Sequence, residues 1–179
     1  MWVYTPHGYA ADKKPYGLLL LSDGGLYINS AHVATTLDNL IAAGVIPPLV
    51  AVMVDNPDRF RELACSPAYA DFLAQEIVPW ARANYHATDR PEQTIIGGVS
   101  LGGLAAAFVG LKHAEVFGNV LSQSGSFSWK PDGRKRLGMA DPPVRRKPAT
   151  AFALLLRGRT IGKHWWAGRA GVRASTVSG

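Results

Sequence analysis

Ser100 is the residue of this chain best set up for chemistry. It lies in Gly98-Val99-Ser100-Leu101-Gly102, a match to G-x-S-x-G. In that pattern a serine occupies a sharp turn between a strand and a helix, and the strained backbone pushes its hydroxyl out of the turn. Chain segments pass so close to positions 98 and 102 that a Cβ there would clash, so both are glycine. The helix that follows aims its N-terminal N–H groups at a developing negative charge. The chemistry implied is attack on a carbonyl through a covalent acyl intermediate. Such a pentapeptide arises by chance in roughly one chain in twenty of this size, so its surroundings must carry the argument. A phosphate cradle has less support, because no lysine follows the glycines and there is no G-x-G-x-x-G. Cys65, the single cysteine, reads as a small packed side chain.

The surroundings are the ones the motif needs. The β-branched run Thr94-Ile95-Ile96 precedes it, and small residues with helical character follow as far as His113. Trp2 to Thr5 alternates weakly and ends at Pro6, as an edge strand does. Tyr16 to Leu21 and Leu49 to Val54 are continuous apolar runs, as in strands buried on both faces of a parallel sheet. The first ends at Ser22-Asp23-Gly24-Gly25, the place where an α/β sheet keeps its binding loops. Val33, Leu37, Leu40 and Ile41 predict a helix over residues 32–43, capped by Asn29 or Ser30 and closed by Gly44. Asp58-Arg59-Phe60-Arg61-Glu62 reads as a polar loop. Ser66-Pro67 opens another helix, with Tyr69, Phe72, Leu73, Ile77 and Trp80 as its apolar stripe and Pro79 kinking it or ending its first part. Phe117 to Ser126 reads as a further strand running into a loop. The alternation of strands and helices predicts an α/β fold, a mostly parallel sheet with helices on both faces.

Composition sets the outer bounds. A chain of 179 residues that is 47% hydrophobic suits one domain with a real core. Its N-terminus has no basic region followed by an apolar segment and cleavage site, and Leu18 to Leu21 is too short to span a bilayer. The expectation is a soluble, cytoplasmic protein without membrane or nucleic-acid partners. The charge is unevenly spread. Residues 1–129 carry 7 Lys+Arg against 11 Asp+Glu, a net of −4, whereas residues 130–179 carry 12 against 2, a net of +10. The basic end has neither an amphipathic helix nor a nucleic-acid motif. Residues 1–129 therefore read as the core domain, and 130–179 as an atypical basic C-terminal segment with little expected structure. Within it, the apolar run Ala151 to Leu156 is a candidate strand.

Residues 1–129 resemble the catalytic domain of enterochelin (ferric-siderophore) esterases and their esterase relatives, within the α/β-hydrolase fold. The matching stretches are Leu37-Asp38-Asn39-Leu40-Ile41, Asp58-Arg59 through Glu62-Leu63, Glu76 to Trp80, Gly97 to Gly103, and Phe117-Gly118 through Leu121 to Ser126. The resemblance implies a partial α/β-hydrolase acting as a serine esterase on a small-molecule ester, a ferric siderophore among the candidates, with no cofactor and no metal. Ser100 would be the nucleophile and the Leu101 N–H one oxyanion donor, the second coming from Gly24 or Gly25. Arg59 resembles a substrate-binding arginine suited to an anionic or catecholate substrate. Glu62 would hold its loop, and Tyr27 and Trp129 would pack in the core rather than line the site.

In this fold the acid and the histidine follow the serine in chain order. His7, His32 and His86 precede it, and His113 ends the elbow helix, where a cation is welcome. The family's histidine lies in a Gly-Gly-His-Asp-like stretch that is not among the 79 residues after Ser100. His164, in Gly-Lys-His-Trp-Trp, is the downstream candidate for the base. Asp141 is the candidate acid, beside Asp132 and Glu115. The abrupt change of charge near residue 130, with enrichment in Arg, Gly and Ala, is what a GC-rich gene yields out of frame. The alternative expectation is accordingly a catalytically incomplete chain, frameshifted or truncated after about residue 129.

Overall fold

The computed structural model describes residues 1–12 and 14–129 and the strand Phe152–Leu156. Its centre is two strands buried along their length, β2 (Gly17–Ser22), apolar as far as Leu21, and β3 (Leu49–Val54), apolar throughout. Because both faces of each are covered, neither alternates with polar residues. They pair in parallel, Leu18 opposite Val50 and Leu20 opposite Val52. β2 also pairs in parallel with β4 (Thr94–Val99), which pairs in parallel with β5 (Asn119–Gln123). The outer strands β1 (Trp2–Tyr4) and β6 (Phe152–Leu156) run antiparallel to β3 and β5. The six-stranded order is β1-β3-β2-β4-β5-β6. Trp2 to Tyr4 is thus the edge strand expected, and the apolar run after Ala151 is a strand on the opposite edge.

Successive β2 side chains serve opposite faces. Leu18 and Leu20 join Val50, Val52, Leu63, Tyr69, Leu73, Val78, Ala105 and Val109. Leu19 and Leu21 join Ala51, Met53, Tyr27, Val33 and Leu37. The first face is covered by α3 (Arg59–Leu63), α4 (Pro67–Phe72), α5 (Val78–Tyr85) and α6 (Leu101–Lys112), the second by α1 (Gly24–Asn29) and α2 (Val33–Ala42). Helices lie on both faces, as expected. From β2 the chain builds outward to β3 on one side and then crosses to β4 on the other. The C-terminal ends of β2 and β4 therefore flank the point where strand order reverses, and α/β sheets place binding crevices there.

Several local expectations need correction. The Ser22–Gly25 stretch does not continue as a loop, because Gly24 opens α1. Asn29 and Ser30 end that helix instead of capping the next one, which starts after His32 in left-handed backbone (φ 46°). Residues 58–62 are not a polar loop. Asp58 caps α3 by accepting the Arg61 N–H at 3.2 Å, and buried Leu63 pins that short helix to the core. Ser66 caps α4 as predicted, accepting the Tyr69 N–H at 3.3 Å. A wide turn, Leu73–Ile77, separates α4 from α5 just before Pro79. Proline has no N–H to continue an i→i−4 ladder, and the wider turn accommodates it without breaking the helical path. The strand running into a loop expected over Phe117 to Ser126 is present as β5, Asn119–Gln123, with Phe117 buried in the turn before it.

The C-terminal end of α6 is tied to α4 by charge. His113 presents Nε2 to Asp71 Oδ1 at 2.8 Å and Nδ1 to Glu115 Oε1 at 3.1 Å, and Lys112 also bonds Asp71. Among the described residues no helix is long and apolar enough to cross a membrane. The basic segment 130–179, expected to have little structure and to be out of frame, lies outside the described residues except for β6.

Two predictions follow from the packing of α6. A glycine inside a helix ordinarily gains about 1 kcal/mol when changed to alanine. At Gly110 the new Cβ would run into the Val120 side chain of β5, so Gly110→Ala should instead destabilise by roughly 1–3 kcal/mol, read from urea unfolding. The second prediction concerns acid. Hydrogen bonds and charge from Lys112, then from His113, hold the Asp71 carboxyl below the ordinary carboxylate value. Its contribution is present above that ordinary value and is lost as pH falls through the lowered one. Asp71→Asn should flatten this part of the acid limb in a pH series of melting midpoints and leave the neutral range less stable than wild type.

Candidate functional site

The elbow is built by proximity. Ser100 stands between β4 and α6 with φ 56° and ψ −118°, a region that L-residues seldom occupy. A Cβ on Gly98 would fall inside the backbone of Gly102, and one on Gly103 would lie 3.0 Å from the Cα of Gly125. At Gly102 the neighbour is the Asp23 carboxylate, 3.1 Å from where a Cβ would be. Glycine at 98 is therefore required by backbone, whereas a Cβ at 102 would be crowded by the side chain of Asp23, which follows β2. The Ser100 N–H donates to the Gln123 carbonyl at 2.9 Å, and the Ser100 carbonyl accepts from Gly103, Leu104 and Ser126. Its side chain stays exposed. Leu101 and Gly102, first in the helix, have no intrahelical acceptor for their N–H groups, and the helix dipole makes that end positive.

The segment after β5 wraps over this turn. Ser124 takes left-handed backbone (φ 48°), and Ser126 returns to place its Oγ 3.1 Å from Ser100 Oγ. Beneath, the Tyr27 hydroxyl donates to the Gln123 side-chain carbonyl. Burial first, and then the Asp23 charge, push the Tyr27 phenol well above its ordinary value, so it remains a neutral donor.

The loops after β2 and β3 are joined through Asp23. Its carboxylate takes both branches of the Arg59 guanidinium, Nε at 2.6 Å and Nη2 at 2.8 Å. Its N–H donates to Asn56 Oδ1 at 2.8 Å, and Asn56 Nδ2 donates to Glu62 Oε2 at 2.7 Å. Asp23 is 6% exposed and Arg59 40%. Hydrogen bonding to Asp23 raises the Arg59 pKa further, so the pair is ionic.

The structure brings Ser100, Leu101, Gly24, Gly25 and Arg59 to one edge of the sheet. Gly24 packs against the Met53 carbonyl and Trp2, and the Gly25 N–H lies 3.4 Å from Asp55 Oδ1. Arg59 turns Nε and Nη2 to Asp23 and leaves part of its side chain exposed. Glu62 does hold its segment, through Asn56. Tyr27 is a core residue, as expected, and Trp129 packs against the core. His32 and His86 are at helix ends. Cys65 is half-buried, in left-handed backbone (φ 56°). His164 and Asp141 lie outside the described residues.

Sequence reasoning missed Asp23 and Ser126 as site residues. Asp23 carried a signal, an acid lodged between a buried strand and a glycine pair. Ser126 carried a weaker one, a second hydroxyl in a glycine-containing loop after a strand.

Comparison with known proteins places this geometry among relatives. A family model described as "Putative esterase" matches residues 1–173. The iron(III) enterobactin esterase of Escherichia coli O6:H1 is 36% identical over 142 residues, 78% of this chain and 35% of that protein. The iron(III) enterobactin esterase of Dickeya dadantii is 36% identical over 168 residues, 87% of this chain and 38% of that protein. The crystal structure of enterochelin esterase from Shigella flexneri superposes with a TM-score of 0.68 at 34% identity, covering 75% of this chain and 34% of that one. The chain thus spans about a third of the length of the curated relatives it matches.

Asn56 supplies the test of this network. It is 6% exposed, and its loss leaves the Asp23 N–H and the Glu62 carboxylate without their partner. Asn56→Ala should cost about 1–3 kcal/mol in chemical unfolding, and Asn56→Asp, which sets two carboxylates together, should cost at least as much.

Proposed function

Because this chain belongs to the esterase family whose model it matches, we propose that it is a serine carboxylic-ester hydrolase working through an acyl-enzyme on Ser100. The observation that carries the reading is the exposed Ser100 hydroxyl in left-handed backbone at the N-terminus of the 12-residue α6. Ser100 Oγ attacks the ester carbonyl, loses its proton to a base, and forms the C–O bond of a tetrahedral oxyanion. Collapse expels the alcohol, which takes up a proton, and water then releases the acid by the same steps in reverse. The Leu101 N–H stabilises the oxyanion, the second donor coming from the Gly24–Gly25 turn.

The rim suits a small ester with an apolar or aromatic part. Leu26, Phe60 and Phe127 are 46%, 67% and 59% exposed, and they follow the C-terminal ends of β2, β3 and β5, on the same edge as Ser100. The part of Arg59 left open beside Phe60 suits a substrate carrying negative charge. The relatives named for enterobactin support a siderophore ester as the substrate, a ferric catecholate being the form that joins aromatic rings to negative charge. The cytoplasmic setting belongs to the same proposal.

One observation favours a second reading. Among the described residues the Ser100 hydroxyl has a single side-chain hydrogen-bond partner, Ser126, and His113 is held at the far end of α6 by Asp71 and Glu115. On that reading the chain keeps the nucleophile and lacks a base. His164, with Asp141 as its acid, is the proposed base on the first reading.

Hydrolysis of a p-nitrophenyl acyl ester separates the two. Ser100→Ala should reduce kcat by at least about a thousandfold while melting as wild type does, and His164→Ala should approach the same loss. No turnover by wild type supports the second reading. Activity lost with Ser100 but kept in His164→Ala would assign activation of the serine to another group.

A further inference from the structure

The Arg59–Asp23 pair has a consequence for the elbow. The Asp23 Oδ2 atom lies 3.1 Å from the Cβ position of Gly102, against the first turn of α6. That turn holds the N–H groups on which an acyl-transfer oxyanion would settle. Asp23 is 6% exposed, so water screens its charge poorly. An unpaired carboxylate there would draw on the same helix-end charge that the oxyanion needs, and would repel the oxyanion as it forms. Arg59 takes both oxygens of this carboxylate and no other carboxylate among the described residues.

We infer that Arg59 is a positioning residue whose first task is to cancel the Asp23 charge under the elbow, so that its loss acts through the unmasked carboxylate more than through a lost substrate contact. This rests on the esterase reading for its kinetic part only. Asp23 makes three connections at the strand-order reversal: its N–H to Asn56 after β3, its carbonyl to Leu26 and Tyr27 in the first turn of α1, and its carboxylate to Arg59 of α3. A neutral side chain of the same shape could make the first two connections. The charge is what fixes Arg59, and Arg59 is what makes the charge tolerable.

The shift in the Tyr27 phenol that Asp23 contributes to supports a field reaching across this edge even with Arg59 in place. Tyr27 bonds the Gln123 side chain, and the Gln123 backbone carbonyl holds the Ser100 N–H.

The experiment is a double-mutant cycle on the full chain with Arg59→Gln, Asp23→Asn and the two combined, plus Arg59→Lys, which keeps charge without the fork. With an uncharged p-nitrophenyl ester, Arg59→Gln should lower kcat about tenfold or more with KM little changed. Adding Asp23→Asn should recover most of that loss, and Arg59→Lys should lose less than Arg59→Gln. A double variant as slow as Arg59→Gln, or a defect in KM alone, would show that Arg59 acts on the substrate and would overturn the inference. Melting midpoints run the same cycle without turnover. Arg59→Gln should lower the midpoint by several degrees and the added Asp23→Asn should restore most of it, whereas losses that simply add overturn the pairing. A wild type that melts cooperatively but hydrolyses nothing fails the esterase reading, and the melting cycle still decides the charge compensation.

Discussion

The chain turns from β4 into α6 within a single residue, and it does so where the backbone of Gly102 lies against the Cα of Gly98 with no room for a side chain. That contact is possible because β4 ends in the middle of the sheet. β2 and β5 bracket it, and Gly97 is itself closed in by Leu21 and Leu121. A strand so enclosed cannot drift sideways before turning, so the whole reversal falls on Ser100, which takes φ 56°. The strain is offset by hydrogen bonds on both sides of the residue, its N–H on Gln123 and its carbonyl accepting Ser126 as well as the first helical N–H groups. Exposure of the hydroxyl follows from the turn, since the backbone polar groups are used inward.

Charge is arranged around the same turn. The N-terminus of α6 is a positive end at the C-terminal ends of β2 and β4, and a buried carboxylate, Asp23, lies against its first turn. An arginine from the next segment neutralises it, and an asparagine–glutamate pair fixes the backbone that carries it. The edge is therefore polar but internally matched. Among the described residues no buried side-chain N or O atom lacks a partner. Matching of this kind keeps a helix N-terminus available for a transient anion, because a permanent one there already has its own counter-ion.

Much of this fold was legible in the sequence because its strands are buried on both faces. Leu18 to Leu21 and Leu49 to Val54 carry no polar residue, which leaves few alternatives to a parallel sheet. The elbow was legible because its constraint is local: glycine at 98 and 102 around a serine, with a strand before and a helix after. What escaped depends on contacts distant in sequence. α3 is only five residues long, and its helical state rests on the Asp58 cap and the burial of Leu63, neither of which has a period to read. The turn at Leu73–Ile77 is a response to Pro79 that sequence could foresee only as a kink. Asp23 looked like part of a loop because its partners, Asn56 and Arg59, lie more than thirty residues away on another strand's loop. Ser126 is likewise 26 residues from Ser100 and meets it only because β4 and β5 are neighbours.

Among the described residues the elbow is assembled with Ser126, and no histidine, bonded to the Ser100 hydroxyl, which bears on how such a site is built. The groups that hydrogen-bond Ser100 come from β5, the segment after it and the first turn of α6, all within residues 1–129. A general base is not needed to hold this geometry: the serine is braced by backbone, and its hydroxyl rests on Ser126. The turn and its proposed oxyanion donors can therefore form whether or not a histidine arrives, which is consistent with oxyanion stabilisation surviving the loss of triad members in serine hydrolases generally. It follows that the fold of this chain and its proposed catalysis answer to different residues. Packing at Gly98, Gly102 and Gly110 governs the first. On the esterase reading the proton path from the exposed Ser100 hydroxyl, which rests on Ser126, governs the second.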